Sequence, residues 1–344
     1  MSAEPPPPAA PDRTILLAVA AAILLVVLAA GGGVAASRLV NRPTPSPSPT
    51  ATPLARPSPT EPPDTEPLVF IQPLSAGCAA GDAVYVVSDG GGIGRFAFDH
   101  WQLIDPIARS LGAAICRGDQ LVAVGGGGRV VTIDATQQTI RSDAVQLDDF
   151  LGVAPLGGGL LAVGRSGSVQ LQTAAGWNVY AQGLDEDLYG VAAFGSTSAW
   201  VVGAGGASYR LESGGWRPVA TGVTATLRAI AAAAVDDVVV VGDDATILVW
   251  RGAWVKVAAP VQATFRAALR MDNGTYIAGD RGTLLRLSGD PAAPVFAQLN
   301  LGTTCSLRAL FRAAGDLWVI GADGARSAVW RIGPAGTFHW GQCP

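Results

Sequence analysis

Few side chains in this sequence carry reactive chemistry, and their spacing limits what that chemistry is. The two histidines, His100 and His339, each stand directly before a tryptophan, Trp101 and Trp340. A zinc-type centre needs three or four converging ligands, so two histidines in matching contexts read as structure and no metal site is expected. No H-E-x-x-H, G-x-S-x-G or G-x-x-x-x-G-K-[ST] pattern occurs, which leaves metalloprotease, α/β-hydrolase and P-loop chemistry without a carrier. The glycine runs Gly90–Gly92 and Gly125–Gly128 lack a following helix pattern and a lysine, and read as turns rather than phosphate cradles. No catalytic residue and no cofactor is expected, and the chain reads as a non-enzyme.

Charge narrows the partner class. The net charge is −4 over 344 residues, with arginines scattered among acids. A nucleic-acid reader carries a basic face or stripe, so that partner is not expected. Many arginines, one lysine (Lys256) and high glycine and proline contents point to a high-GC bacterial gene.

Beyond residue 67 the chain repeats itself. Glycines that end short apolar runs, Gly125, Gly164, Gly203, Gly242, Gly279 and Gly321, recur every 37 to 42 residues, with Ser88 in the first copy. Three residues later comes a second small residue: Gly91, Gly128, Gly167, Gly206, Ala245, Gly282 and Gly324. A G-x-x-G between apolar runs suits a tight hairpin that requires positive φ. Each copy opens on an apolar segment such as LYGVAAF from Leu188, continues through runs such as DVVVVG and TILVW, and ends on a segment opened by tryptophan. Trp101, Trp177, Trp216, Trp254 and Trp340 occupy that last register. Four short strands every 38 to 40 residues, seven times over, is the arithmetic of a seven-bladed β-propeller with four-stranded blades. Near-continuous apolar runs fit strands buried on both faces, and Trp200, Trp250, Trp318 and Trp330 read as blade packing rather than exposed carbohydrate platforms.

Apolar-G-x-x-G, a third strand, then Gly-(Gly)-Trp resembles the repeats of photosystem II assembly-factor-like proteins and the broader BNR/WD40/YVTN-like group, over roughly residues 74–344. The resemblance implies the propeller fold and constrains activity little. SGGW at Ser213–Trp216 and AAGW at Ala174–Trp177 lack the aspartate of the sialidase Asp-box, so calcium or glycan chemistry is not implied.

Within the repeat the charged residues acquire a place. Asp148, Asp149, Asp185, Glu186 and Asp187 lead into the third and fourth copies, and Arg228, Arg266 and Arg308 open the fifth, sixth and seventh. A propeller gathers such positions on one face, which predicts an acidic arc facing a basic arc around the channel, a docking surface that steers and orients a partner. Solvated loop charge is the plainer alternative. The cysteines are even in number and all follow the repeat boundary; Cys78 with Cys116, and Cys305 with Cys343, lie 38 residues apart, and these two disulfides are predicted as staples near the seam of the ring.

Ahead of the repeats the domain plan is a tail (1–13), a transmembrane helix (14–37), a disordered Pro/Ser/Thr-rich linker (38–67) and the propeller (68–344). Thr14 to Ala36 is twenty-three uncharged residues, enough to span a hydrocarbon core of about 30 Å. Val34-Ala35-Ala36 before Ser37 also fits a cleaved signal peptide. Arg38 and Arg42 after the span, against Arg13 before it, weakly favour a cytoplasmic C-terminus. The linker, with a reach of roughly 75 Å, and the paired cysteines favour the opposite, an extracytoplasmic propeller. Leu68–Ile71 is placed to add a strand at the seam. The expectation is a single-pass, membrane-anchored, periplasmic or extracellular propeller that binds another protein or membrane complex as an assembly or scaffold module. The alternative is a glycan-binding or glycosidase-like propeller working through its central channel, which requires two carboxylates roughly 5 to 10 Å apart, one with a raised pKa.

Overall fold

The structure, a computed structural model, describes residues 72–343 except 105–108, 135–139, 146–147, 182, 214 and 291–292. The transmembrane, linker and Leu68–Ile71 expectations lie outside the described residues. Among the described residues no helix is long and apolar enough to cross a membrane.

Seven antiparallel four-stranded sheets follow one another along the chain, each made of four consecutive strands. Blade 1 runs from Leu74 to Ile104, blade 2 from Leu111 to Ala144, blade 3 from Phe150 to Val179 and blade 4 from Leu188 to Pro218. Blades 5, 6 and 7 span Leu227–Lys256, Phe265–Leu299 and Ser306–Gly341. The five repeat tryptophans all lie in the fourth, outermost strands. The inner strand of blade 7 packs beside that of blade 1, so the sheets close a ring, and among the described residues each blade is built from its own four consecutive strands.

The core is divided into seven clusters, one between each pair of neighbouring blades. Alternation along a strand explains this. In the second strand of blade 1, Tyr85 and Val87 pack toward blade 2, while Val84 and Val86 pack toward blade 7. Both faces are dry, so the strand reads apolar at every position, and each such side chain contributes roughly 1.5–3 kcal/mol of transfer free energy.

The two marks of the repeat have different causes. All seven second small residues have positive φ, from 52° at Ala245 to 81° at Gly91, as a tight turn demands. The first glycine does not: Gly164 sits at φ −164°, ordinary extended backbone. Its requirement is space, because a Cβ on Gly125 would stand 2.0 Å from the Ser110 carbonyl oxygen. That proximity lets the next amide, Gly126 N–H, donate to the same carbonyl at 2.9 Å, and Arg165, Ala204, Asp243 and Asp280 repeat the bond in blades 3 to 6. In blades 2 to 6 the glycine thus ties the end of the second strand to the start of the first, whereas a Cβ on Gly321 of blade 7 would meet the Trp330 ring at 2.8 Å.

Both disulfides form. Cys78 and Cys116 join the inner strands of blades 1 and 2, with Cα atoms 5.5 Å apart. Cys305, just ahead of blade 7's first strand, joins Cys343, just past its last, at 5.9 Å. The second staple therefore clasps the two ends of one blade rather than neighbouring repeats.

Candidate functional site

Antiparallel pairing sets the start of each inner strand beside the end of the second strand, as Leu74 beside Ser88. One face, here the front, therefore carries the connections between blades and the turns between second and third strands; the back carries the other turns. On the front, the residue after the first fully buried side chain of each inner strand converges on the axis. A cavity of ≈ 350 Å³ is lined by Ser75, Gly112, Leu151, Tyr189, Arg228, Arg266 and Arg308, one from each blade, together with Asp89. A single cavity touching all seven inner strands is the mouth of the central channel.

Three consecutive blades put arginine into this mouth, and each guanidinium is held by an aspartate from the residue after the repeat glycine or its serine equivalent. Arg228 forks onto Asp243, with Nε and Nη2 contacts of 2.5 and 2.8 Å. Arg266 does the same to Asp280 at 2.5 and 3.2 Å. Arg308 has Ala322 at that position of its own blade, and reaches across the seam to Asp89 of blade 1 at 3.0 Å. Blade 1 in turn offers no arginine there, only Ser75, whose hydroxyl donates to the Val87 and Leu111 carbonyls. Burial would raise the Asp280 pKa, but hydrogen bonds from Arg266 and Ser306 and the charges of Arg266 and Arg228 outweigh it and hold the carboxyl below its ordinary range. Arg228 is held above its own, chiefly by the hydrogen bond to Asp243, and its guanidinium lies 5.8 Å from the Tyr189 ring centroid. Each guanidinium has five donors, so the forks leave N–H groups available at the mouth.

The five acids are placed elsewhere on the front face. Asp149 accepts from Gly127 N–H at 2.8 Å and from Arg165 Nε at 3.2 Å. Asp187 accepts from Arg165 Nη1 at 3.1 Å and from Ser166 N–H at 2.9 Å. Arg165, whose pKa is raised first by the Asp149 hydrogen bond and then by the Asp187 charge, is the hub of this group. Glu186 accepts the Tyr209 hydroxyl at 2.7 Å, which pulls the carboxyl down; burial, that hydrogen bond and the charges of Glu186 and Asp185 push the Tyr209 phenol up to about 12. Asp148 lies beside Asp149 in the connection into blade 3 and is itself engaged. The structure brings the three arginines together at the channel; it does not bring the five acids into the cavity. The acids precede the inner strand, whereas the arginines lie within it, and this offset of two to four positions from the column of Leu151 and Tyr189 separates the two groups.

Sequence reading missed the partners Asp89, Asp243, Asp280 and Arg165. All four occupy the position after the repeat glycine or Ser88, and tabulating that column against the arginine column would have found them. Of the two histidines, His100 is exposed, while His339 stacks on Trp330 at 5.1 Å and burial lowers its pKa. Trp200, Trp250, Trp318 and Trp330 are all buried. Among the described residues no cluster of three metal-ligating side chains occurs.

No protein-family model and no curated protein matches the sequence. Solved structures do match the fold. The WD40 repeats of RRP9 superpose with a TM-score of 0.63 at 10% identity, covering 74% of this chain and 88% of that one. YCF48 from Cyanidioschyzon merolae gives 0.63 at 13% identity, covering 78% and 98%. YCF48 bound to a D1 peptide gives 0.63 at 14% identity, covering 78% and 95%. At these identities the likeness is one of architecture: the chain is a seven-bladed β-propeller of the kind shared by WD40 and YCF48 propellers.

Proposed function

We propose that this chain is a membrane-tethered, extracytoplasmic propeller that docks another protein, or a protein of a membrane complex, on its front face. The observation that carries the reading is the channel mouth, where Arg228, Arg266 and Arg308 stand together with Tyr189 on one side of a ≈ 350 Å³ opening. Preorganised arginine forks with spare donors, beside an aromatic ring, form a recognition surface of the type enriched at interface centres. A propeller of the same fold, YCF48, has been captured with a peptide bound. The apolar segment at residues 14–37, the proline-rich linker and the two disulfides support a tether and an oxidising compartment. The glycan-hydrolysing alternative asks for a carboxyl held protonated, and Asp280 beside the mouth is held ionised instead.

The test is cross-linking of intact cells with a membrane-impermeant reagent, comparing the wild-type chain with an R228S/R266S/R308S variant; serine is chosen because Ser75 holds that position in blade 1. The expected result is a defined protein partner captured by the wild type and lost from the variant. Capture that survives the triple change overturns the choice of face, and a propeller labelled only after lysis overturns the extracytoplasmic placement.

A further inference from the structure

Three residues before the closing glycine or serine, the second strand of each blade presents a side chain to the next blade. It is aromatic in blades 1, 4, 6 and 7, and in each it pairs across the sheet with an arginine: Tyr85 with Arg95, Trp200 with Arg210, Tyr276 with Arg286, Trp318 with Arg331. The Arg210 guanidinium lies 5.3 Å from the Trp200 ring, and that of Arg331 6.0 Å from the Trp318 ring. Blades 2 and 5 carry the pairs Val122–Thr132 and Val239–Val249 instead. Blade 3 fills the position with Leu161–Leu171; beside the smaller pairs of blades 2 and 5 a groove opens on the side of the next blade: ≈ 360 Å³ beside Val122 and Thr132, and ≈ 320 Å³ beside Val239 and Val249.

We propose that the groove between blades 5 and 6 is a binding site for a small carboxylate with a compact apolar body. Its floor is Val239, Val249 and Leu287, each at most 8% exposed. Of the four charged residues around it, Arg270 is held by Asp237 at 2.8 Å, and Asp272 is taken by Arg312 at 3.1 Å. Arg251 remains. Among the described residues no carboxylate comes within ion-pair range of it, and its one side-chain bond is Nη1 to the Trp250 carbonyl at 2.7 Å. An apolar floor under one uncompensated guanidinium selects a monoanion with a hydrocarbon body: the carboxylate forks onto the guanidinium and the body displaces water from the valines. The volume sits at the small end of the roughly 300–1,000 Å³ of ligand pockets. The groove between blades 2 and 3 differs, because Arg117, Arg141, Asp134 and Asp143 all line it with two glutamines and make its walls far more polar. This site is on the back of the ring and stands independently of the docking surface on the front.

The experiment is saturation-transfer NMR on the full chain in lipid nanodiscs, titrated with isovalerate and, as the neutral isostere, isovaleramide. Isovalerate is expected to bind saturably and at least tenfold more tightly than the amide. Arg251→Gln is expected to remove that tenfold preference, while Lys256→Gln, an exposed cation on the same blade, leaves it intact. A V239W/V249R variant, which installs the Trp200–Arg210 pair of blade 4, is expected to abolish isovalerate binding by filling the groove. Equal binding of acid and amide, no saturable binding, or an Arg251→Gln protein that binds like wild type would overturn the proposal, and Arg251→Gln, a surface change, decides the matter even if the filled variant does not fold.

Discussion

The interface between blades 7 and 1 and that between blades 2 and 3 bury equivalent strand faces, yet they are built differently. Between blades 2 and 3 the cluster is mainly aliphatic: Val122, Val124, Val130, Val153, Leu160 and Ala162 with Phe150, and the chain itself crosses the boundary. At the seam no connection crosses among the described residues. There Phe96, Phe311, Trp318 and Trp340 pack with Trp101 and Phe338, Trp318 stacking on Trp340 at 5.7 Å and meeting Phe96 edge-on at 5.6 Å. Two polar contacts reinforce the closure: Leu74 N–H donates to Ser327 Oγ at 3.0 Å, and Arg308 pairs with Asp89. Closing a ring of some 270 residues costs loop entropy that no linker offsets, and large aromatic side chains supply the most buried area per position. The lesson is that, among the described residues, the seam is held by aromatic side-chain packing where the other interfaces also have a chain connection.

Cavity-forming changes should separate the two interfaces most. Trp318→Ala at the seam is expected to cost about 3–5 kcal/mol, and Leu160→Ala at the 2–3 interface about 2–4 kcal/mol. If closure depends on the seam, the first should also lower cooperativity in a denaturant titration followed by tryptophan fluorescence, while the second shifts the midpoint alone. Equal behaviour of the two would show that the seam is an interface like any other.

The disulfides give the next smaller effect. Both span 38 residues, so loop entropy assigns each the same roughly 2–4 kcal/mol, and a difference between C78S/C116S and C305S/C343S reports position. The second pair is expected to matter more for resistance to proteolysis, because it pins the outer strand of blade 7 (Gly336–Gly341), which carries Trp340 into the seam. Faster tryptic release of that strand on losing Cys305–Cys343 alone is the expected readout.

The seam ion pair should give the smallest effect. Arg308 and Asp89 are 32% and 43% exposed, and such pairs are worth about 0–1 kcal/mol. A double-mutant cycle with Arg308→Ser and Asp89→Ser should return a coupling in that range that shrinks with salt. A coupling above about 2 kcal/mol would mean that the front-face charges hold the ring shut, and would shift weight from the aromatic cluster to the channel mouth.

Much of this was legible from the repeat. Glycine and tryptophan spacing alone place seven blades, the outer-strand register and the cysteine partners, because a propeller is nearly one-dimensional and each residue's role recurs at a fixed interval. The glycine pair illustrates the limit. Both glycines stand out in the sequence, but one is required by its φ and the other by a carbonyl 2.0 Å from its absent Cβ, and only the folded chain distinguishes them. The candidate site divides the same way: Arg228, Arg266 and Arg308 were visible as a column, whereas the acids stood in a neighbouring column that the fold directs to Arg165 and Tyr209.

What the sequence determined by itself is the periodic part: blade number, strand order, the dry faces and the staples, all of which follow from hydrophobic period and local backbone geometry. What the tertiary structure decided is which side chains of different repeats meet. Arg308 pairs with Asp89 although 219 residues separate them, and the grooves of blades 2 and 5 open where Val122 and Val239 stand in place of the aromatic side chain of blades 1, 4, 6 and 7. Such contacts depend on the ring closing upon itself, and no local rule of spacing encodes that closure.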